Sequence, residues 1–501
     1  MTAKPVLEND SLDGIDPKRW GLSFEAVHAL GRDLFHCWER FHDCFTTRTR
    51  DTSPLAHVYL KGLLLLPDER NYANIARRII GPDDDGQSLQ QFMSDSPWTA
   101  QRVFAQIQRE ISLEPSLQGG ILSLDESGDK RAGVLSAGAG RQYLGRLGKV
   151  DVGQVGVALS YCIEDFWALV DAELFLPENW FDADHDKLRK RLHVPEGLVF
   201  ATKPQIGLEL VLRARQRGLP FAAVAADAVY GRDSRLRATL DEEQIKYVAD
   251  VPHDYPVYVE RPEVGVPPRR SNRGPAPSTP VLLNGVESVP ASSLVNENTP
   301  WQRVQLREGE RGTVEVTCWA RHVWTISDDW EVREEWLVVH RQSDGKMHYS
   351  LSNAPAHATL KTMMQWRGQR YFAERTFQDE KSEMGWDELV AQKYRAWQHH
   401  AALTALALYF VMKVRRHWAQ KYPRSEELKE EFDIPKLPAL SVANIRELLA
   451  AVMPLRQFTV AQAMKVVAGH LENRAGSTRS RYRQQQQERQ GVAGRRAGTS
   501  Q

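Results

Sequence analysis

Two aspartates close apolar runs. Asp125 follows Ile121-Leu122-Ser123-Leu124, and Asp227 follows the run FAAVAA that starts at Phe221. Read as strands, both runs end in a carboxylate at a sheet rim, where open α/β sheets place ligands. Carboxylates brought together repel and raise each other's pKa. Divalent metal removes that conflict. Mg2+ takes oxygen ligands and keeps positions for water and phosphate. Two such ions would activate an attacking oxygen and stabilise the leaving one in phosphoryl transfer. An aspartate after an apolar run equally suits a helix N-cap or a turn, so each signal alone leaves that alternative open. A third group lies in QRYFAERTFQDEKSEMG, which reads as a helix carrying Arg370, Glu374 and Lys381. At 100° per residue these three fall within about 40° of one another. Glu374 would then complete a metal-binding set, with Arg370 offering a forked contact and Lys381 a point charge to a phosphodiester. The same spacing also describes a surface Arg–Glu pair beside a solvated lysine.

Neighbouring acids fit less well. Asp379, Glu380 and Glu383 fall on other faces of the same helix. Glu126 points to the opposite sheet face from Asp125 if the strand continues. His36, Cys37, His42 and Cys44 match no usual zinc spacing and read as helix packing. His399 and His400 precede an apolar helical run and read as packing beside it.

The elements that must hold these residues alternate in texture. Residues 1–115 read as all-helical: Phe24, Val27, Leu30, Leu34, Cys37, Trp38, Phe41 and Phe45 step at helical spacing over 24–45. Further helices are expected over 54–66, 72–80, 88–93 and 99–111. From residue 119 strands take over, at 121–124, 152–161, 166–176 and 221–226, with a helix over 202–217 capped by Thr202 and closed by Gly218. Such a mixture implies a mixed sheet covered by helices. Residues 261–300 hold eight prolines, with Arg269 and Arg270 among the basic residues, and read as a semi-rigid basic connector. Short strands are expected at 314–316, 335–339 and 347–351, amid Trp301, Trp319, Trp324, Trp330 and Trp336. Helices follow over 362–385, 389–416 and 443–472. The tail, 473–501, holds seven arginines against one glutamate and reads as basic and disordered.

Composition narrows the function. Lys+Arg and Asp+Glu both total 65 in 501 residues, so attraction to nucleic acid must come from local patches. Hydrophobic content of 42% excludes wholesale disorder. Four cysteines exclude a disulfide scaffold and fit a reducing compartment. The N-terminus lacks a signal peptide's apolar segment, and no apolar run reaches the ~20 residues that span a bilayer. A soluble intracellular protein without membrane contact, large enough to be an enzyme, is the expectation.

The succession LDES, AADAVYG and R-x3-E-x6-K resembles the DDE transposases of bacterial insertion sequences, in their cut-and-paste branch. DESGDKRAGVLSAGAGRQYLGRLGKVDVGQVGVAL, LPENWF, TKPQIGLEL, FQDEKSEMGWDEL and RAWQHHAALTALAL agree with it, over roughly residues 25–420. The resemblance implies an α/β fold: an RNase H-like mixed sheet with a β-rich insertion, plus an all-helical N-terminal domain. It implies catalytic, metal-binding Asp125, Asp227 and Glu374. Arg370 and Lys381 would bind DNA phosphate, and the Arg-rich loop with Arg269 and Arg270 would add sequence-blind phosphate contacts. The signature tyrosine, three residues before the arginine, is Arg367 here, beside Trp366. Mg2+, two ions per site with Mn2+ able to substitute, is the expected cofactor. Double-stranded DNA is the expected partner, as terminal inverted repeats and target, held by a homodimer in the synaptic complex. End cleavage would pass through hairpins, with Trp324 or Trp330 as a platform for a flipped base. Packing of the same tryptophans in a small core is the alternative. The expected division is a helical DNA-binding domain (1–115), a catalytic domain in two parts (116–255 and 356–425), a Pro/Arg-rich loop and β-rich insertion (256–355), a helical region (426–472) and the tail. The interval from Asp227 to Glu374, about 150 residues, is itself too long for an ordinary connection and argues for an inserted subdomain. Two other functions share these features: a domesticated or inactive relative that regulates by binding DNA, and an RNase H-like nuclease without strand transfer.

Overall fold

The computed structural model describes residues 15–268, 277–309, 312–342 and 344–497. Five helices open the fold: α1 (Phe24–Glu39), α2 (Ser53–Leu65), α3 (Tyr72–Ile79), α4 (Gln87–Asp95) and α5 (Ala100–Ser112). Helix α1 starts at Ser23, whose hydroxyl accepts from the Ala26 amide, and buries Ala26, Leu30, Leu34 and Cys37 as one stripe. It ends six residues before Phe45; His42–Phe45 is a separate 3-10 turn.

Strands β1 (Gly120–Lys130), β2 (Gly140–Leu144), β3 (Lys149–Ile163) and β4 (Phe166–Phe175) follow. Then come α6 (Asp186–Arg191), α7 (Lys203–Gln216), β5 (Phe221–Ala226), α8 (Ala228–Gly231), α9 (Ser234–Glu242) and β6 (Tyr247–Val251). Helix α7 carries the full capping box, Thr202 with Gln205. Strand β3 pairs antiparallel with β1 on one edge and with β2 and β4 on the other, while β1, β5 and β6 run parallel. The order β4–β3–β1–β5–β6 is an RNase H-like mixed sheet. Its central strands are apolar on both faces because both faces are covered. Leu122, Leu124, Val224 and Ala226 enter the main core, whereas Ile121, Ala223 and Ala225 pack against Trp366.

Four two-residue strands, β7 (Pro256–Val257), β8 (Val264–Gly265), β9 (Val281–Leu282) and β10 (Val289–Pro290), lead to β11 (Gln302–Gly309), β12 (Gly312–Ile326), β13 (Val332–Arg341) and β14 (Met347–Ser352). These last four form no sheet of their own. Strand β14 pairs antiparallel with β6, so the ten-stranded sheet runs from β11 through β14, β6, β5, β1 and β3 to β2. The β-rich insertion thus extends the sheet across β6, with apolar clusters of its own on both faces. Strand β6 would otherwise be an edge with unpaired backbone groups, and the insertion satisfies them. A buried ion pair fastens the two parts: Arg237 of α9 donates to Glu335 of β13 at 3.0 Å, and Tyr247 of β6 donates to the same carboxylate at 2.6 Å.

The chain closes with α10 (Leu360–Gly368), α11 (Arg370–Ser382), α12 (Tyr394–Lys421), α13 (Glu427–Glu431), α14 (Val442–Val452) and α15 (Val460–Ala497). The single helix expected over 362–385 breaks at Gly368-Gln369, where Gln369 turns back to the Trp366 carbonyl and glycine is a poor helix former. Helix α12 is buried on every side from Ala401 to Met412. Helices α2, α4, α5 and α14 surround it, and the N-terminal helices share one contiguous core with the sheet. Residues 1–115 are therefore not a separately packed unit. Helix α15 extends through residues 473–497, where disorder was expected. That stretch contains no proline and many good helix formers (Arg, Gln, Ala). No helix among the described residues is long and apolar enough to cross a membrane.

Candidate active site

Asp125 does not end its strand, as the sequence suggested. Strand β1 continues to Lys130 along β3, with Asp125 opposite Ala158. What ends is the parallel pairing with β5, whose last register is Leu124 with Ala226. Asp125 and Asp227 are the next residues on each strand. Neighbouring strands lie about 4.8 Å apart, so the two carboxylates are adjacent at one level of the sheet. Asp227 also caps α8, accepting from the Val229 amide at 2.8 Å and the Tyr230 amide at 3.4 Å. The N-cap and rim readings of this residue thus hold together.

The electrostatics reflect the crowding. Burial and the nearby Asp227 charge push Asp125 up to about 7, against the opposing pull of Arg370. Burial also raises Asp227, partly offset by Arg370 and the two capping amides. Arg370, the first residue of α11, feels Asp250, Asp125, Asp227 and Glu374, in that order, and together they outweigh its own burial. Arg370 is therefore within electrostatic reach of all three expected catalytic acids. Glu374, one turn on, is exposed.

One carboxylate of this cluster escaped the sequence reading. Asp250 follows Ala249, the partner of Ala226, and so repeats on β6 the position of Asp227 on β5. Its Oδ1 accepts from the Ser350 hydroxyl at 2.6 Å and from Arg367 Nε at 2.9 Å; its Oδ2 accepts from Arg367 Nη2 at 2.9 Å and Arg370 Nη1 at 2.6 Å. Despite burial, these partners hold its carboxyl below the usual range. The segment YVAD ends like FAAVAAD, a signal that was present in the sequence.

Lys381 lies two turns beyond Glu374 but is engaged: its Nζ pairs with Asp129 at 2.7 Å and donates to the Gly128 carbonyl at 3.3 Å. Trp386 donates to the same aspartate at 3.0 Å. Glu126 pairs with Lys203 at 2.7 Å, away from the rim. Asp379 accepts from Trp167 at 3.0 Å, and Glu380 is fully buried. Trp330 is exposed, with φ of 64°, in the turn joining β12 to β13. Trp324 is half-buried on β12, its backbone paired with Tyr258. Asp328 and Asp329 in that turn meet Ser234 and Arg235 at the start of α9, a few residues beyond Asp227. Arg269 and Arg270 lie outside the described residues. Cys37 and Cys44 are buried in the helical core, and His399 and His400 bond to backbone carbonyls.

The donor set suits a hard cation. Asp125 and Asp227 offer carboxylate oxygens that repel one another, a conflict that Mg2+ relieves. Among the described residues, no three His, Cys, Asp or Glu side chains are grouped closely enough to hold a metal ion; Glu374 stands apart from the two aspartates, across Arg370.

An RNase H-like sheet with paired rim aspartates beneath an Arg/Glu/Lys helix defines a class of phosphoryl-transfer endonuclease. The chain belongs to the DDE superfamily endonucleases, whose profile matches residues 40–313, more than half of its length. That span contains Asp125, Asp227 and Asp250 and stops before α11. The chain is also similar to a probable transposase for insertion sequence element IS701 from Microchaete diplosiphon, 32% identical over 191 residues. The aligned stretch covers 36% of this chain and 44% of that relative, so it spans less than half of the relative's length.

Proposed function

We propose that this chain is a DNA transposase. It would bind the terminal inverted repeats of its own insertion sequence, cut the ends by Mg2+-dependent phosphoryl transfer, and join them to target DNA. The observation that carries this reading is the adjacency of Asp125 and Asp227 at the sheet rim, with α11 setting Arg370 within their electrostatic reach and Glu374 one turn further on.

Asp125, Asp227 and Glu374 would hold the metal. When bound, Mg2+ supplies activation of the attacking oxygen and charge neutralisation at the scissile phosphate. Arg370 presents a guanidinium beside the carboxylates for a phosphate oxygen. Lys381 reaches DNA by exchanging Asp129 for a phosphate, and Arg269 and Arg270 add sequence-blind phosphate contacts. Two ends must be held together, which calls for a homodimer in the active complex. Hairpin formation needs a distorted backbone, and exposed Trp330 is the better-placed platform for an extruded base. The similarity to a probable insertion-sequence transposase supports strand transfer over simple cutting.

The test uses purified full-length protein, a duplex carrying the element's terminal repeat, and a labelled target plasmid. Wild type is expected to cut the repeat end and join it to the plasmid only with Mg2+ or Mn2+. Asp227→Asn should abolish both steps while still shifting the duplex in a gel. Cutting without joined product would reduce the assignment to a nuclease. Normal cutting by Asp227→Asn would refute the site.

A further inference from the structure

The position held by tyrosine in the resembled signature is Arg367, and the structure shows what that arginine does. Arg367 and Arg370 converge on one carboxylate, Asp250. Both guanidiniums are largely shielded, with side-chain exposures of 14% and 18%, and Asp250 is exposed by 11%. Two like charges this close repel in a medium that screens poorly. The shared anion permits the arrangement: its two oxygens take three arginine N–H groups, and the Ser350 hydroxyl takes a remaining lone pair. The backbone makes the anion rigid. Asp250 lies in register with Ser350 on β14, one strand from Asp227.

Arg370 has a choice of partners. Asp125, Asp227 and Glu374 all attract it. Only one of its terminal nitrogens is bonded to Asp250, and its Nε is buried with no hydrogen-bond partner among the described residues. Were Asp250 neutral, the guanidinium would be free to swing onto Asp125 and Asp227 and neutralise the pair meant for a cation. Asp250 holds it to one side.

We infer that Asp250, with Arg367 as the second arm of a clamp, is a positioning residue that fixes Arg370 beside the catalytic carboxylates. This rests on the transposase reading for its activity readout alone. The clamp makes no contact with the reacting atoms; it acts through Arg370.

Asp250→Asn keeps the side-chain shape and removes the charge. The experiment measures end cutting by full-length wild type, Asp250→Asn, Arg370→Gln and the double variant, together with the Arg370 Nε–H resonance in 15N-arginine-labelled protein without DNA. The expected result is a loss of cutting of at least tenfold for Asp250→Asn, duplex affinity within about twofold of wild type, and a double variant no slower than Arg370→Gln alone. The Nε–H resonance should shift or broaden in Asp250→Asn. Losses that multiply in the double variant would show that Asp250 acts independently of Arg370 and would overturn the inference. An unchanged resonance would overturn it as well. Arg367→Gln removes one arm without stranding a buried cation, and it decides the matter if Asp250→Asn does not fold. It should move the same resonance and slow cutting several-fold; no change in either sinks the clamp. If wild type cuts no repeat duplex, the transposase reading fails, while the resonance still tests the clamp.

Discussion

Glu380 offers a prediction whose size can be worked out. It lies on α11 between Glu374 and Lys381 in sequence but faces inward, with no exposed surface. The Thr404 hydroxyl, which also donates to the Ala401 carbonyl at 3.2 Å, lies close enough to Glu380 to oppose part of the effect of burial. Burial, with the Asp379 charge behind it, pushes Glu380 up to about 8. In the unfolded chain it titrates near ~4.3. Below that pH both states carry the proton and the group contributes no pH dependence. Between ~4.3 and about 8 the folded state keeps a proton that the unfolded state has released, so stability falls as pH rises, by ~1.4 kcal/mol per pH unit from this group. Glu380→Gln removes the titration and leaves the shape. Urea unfolding at pH 5.5 and 7.5, followed by tryptophan fluorescence, should find the variant gaining ~2–3 kcal/mol on wild type between the two pH values. Parallel stability profiles for wild type and variant across that window would refute the assignment of a buried neutral carboxyl.

Three further outcomes are expected. Gly231 lies where α8 touches β6, and a Cβ there would stand 1.9 Å from the Asp250 carbonyl oxygen. Gly231→Ala should therefore cost at least ~1–3 kcal/mol and disturb the clamp. Gly207→Ala on α7 meets side-chain atoms rather than backbone, the Leu124 methyls at 2.6 and 3.0 Å and the Tyr230 ring at 3.0 Å, and should cost less than Gly231→Ala; thermal melts that rank the two the other way would contradict the packing. Arg237→Met leaves Glu335 buried without its cation and should lower stability by ~3–5 kcal/mol, again read by melting; a melting point within a degree or two of wild type would refute it. Trp330→Ala should cut the yield of hairpin ends more than tenfold while first-strand nicking persists, and Trp324→Ala should have little effect; normal hairpin yield from Trp330→Ala removes it as the platform.

What the sequence made legible was local. The stripe over Leu30, Leu34 and Cys37, the Thr202 cap and the apolar run 221–226 are short-range signals, and each appears where expected. The shared face of Arg370 and Glu374 follows from helix geometry alone. What stayed hidden depends on pairing between distant segments. Asp250 joins the cluster only because β6 lies beside β5, and the union of the insertion with the central sheet depends on β14 pairing with β6. Strand β6 itself, five residues long and fully buried, has no alternation to betray it. The break before Arg370 was missed because the apolar pattern runs through it.

Helix α12 has a temporal consequence. The N-terminal helices reach the ribosome's exit first, yet the segment around which they pack is made more than 280 residues after α5 ends. Until it emerges, the faces of α2, α4 and α5 that pack on it stay uncovered. A chain cut short before residue 394 should therefore lack the buried helix on which both the N-terminal helices and the sheet pack.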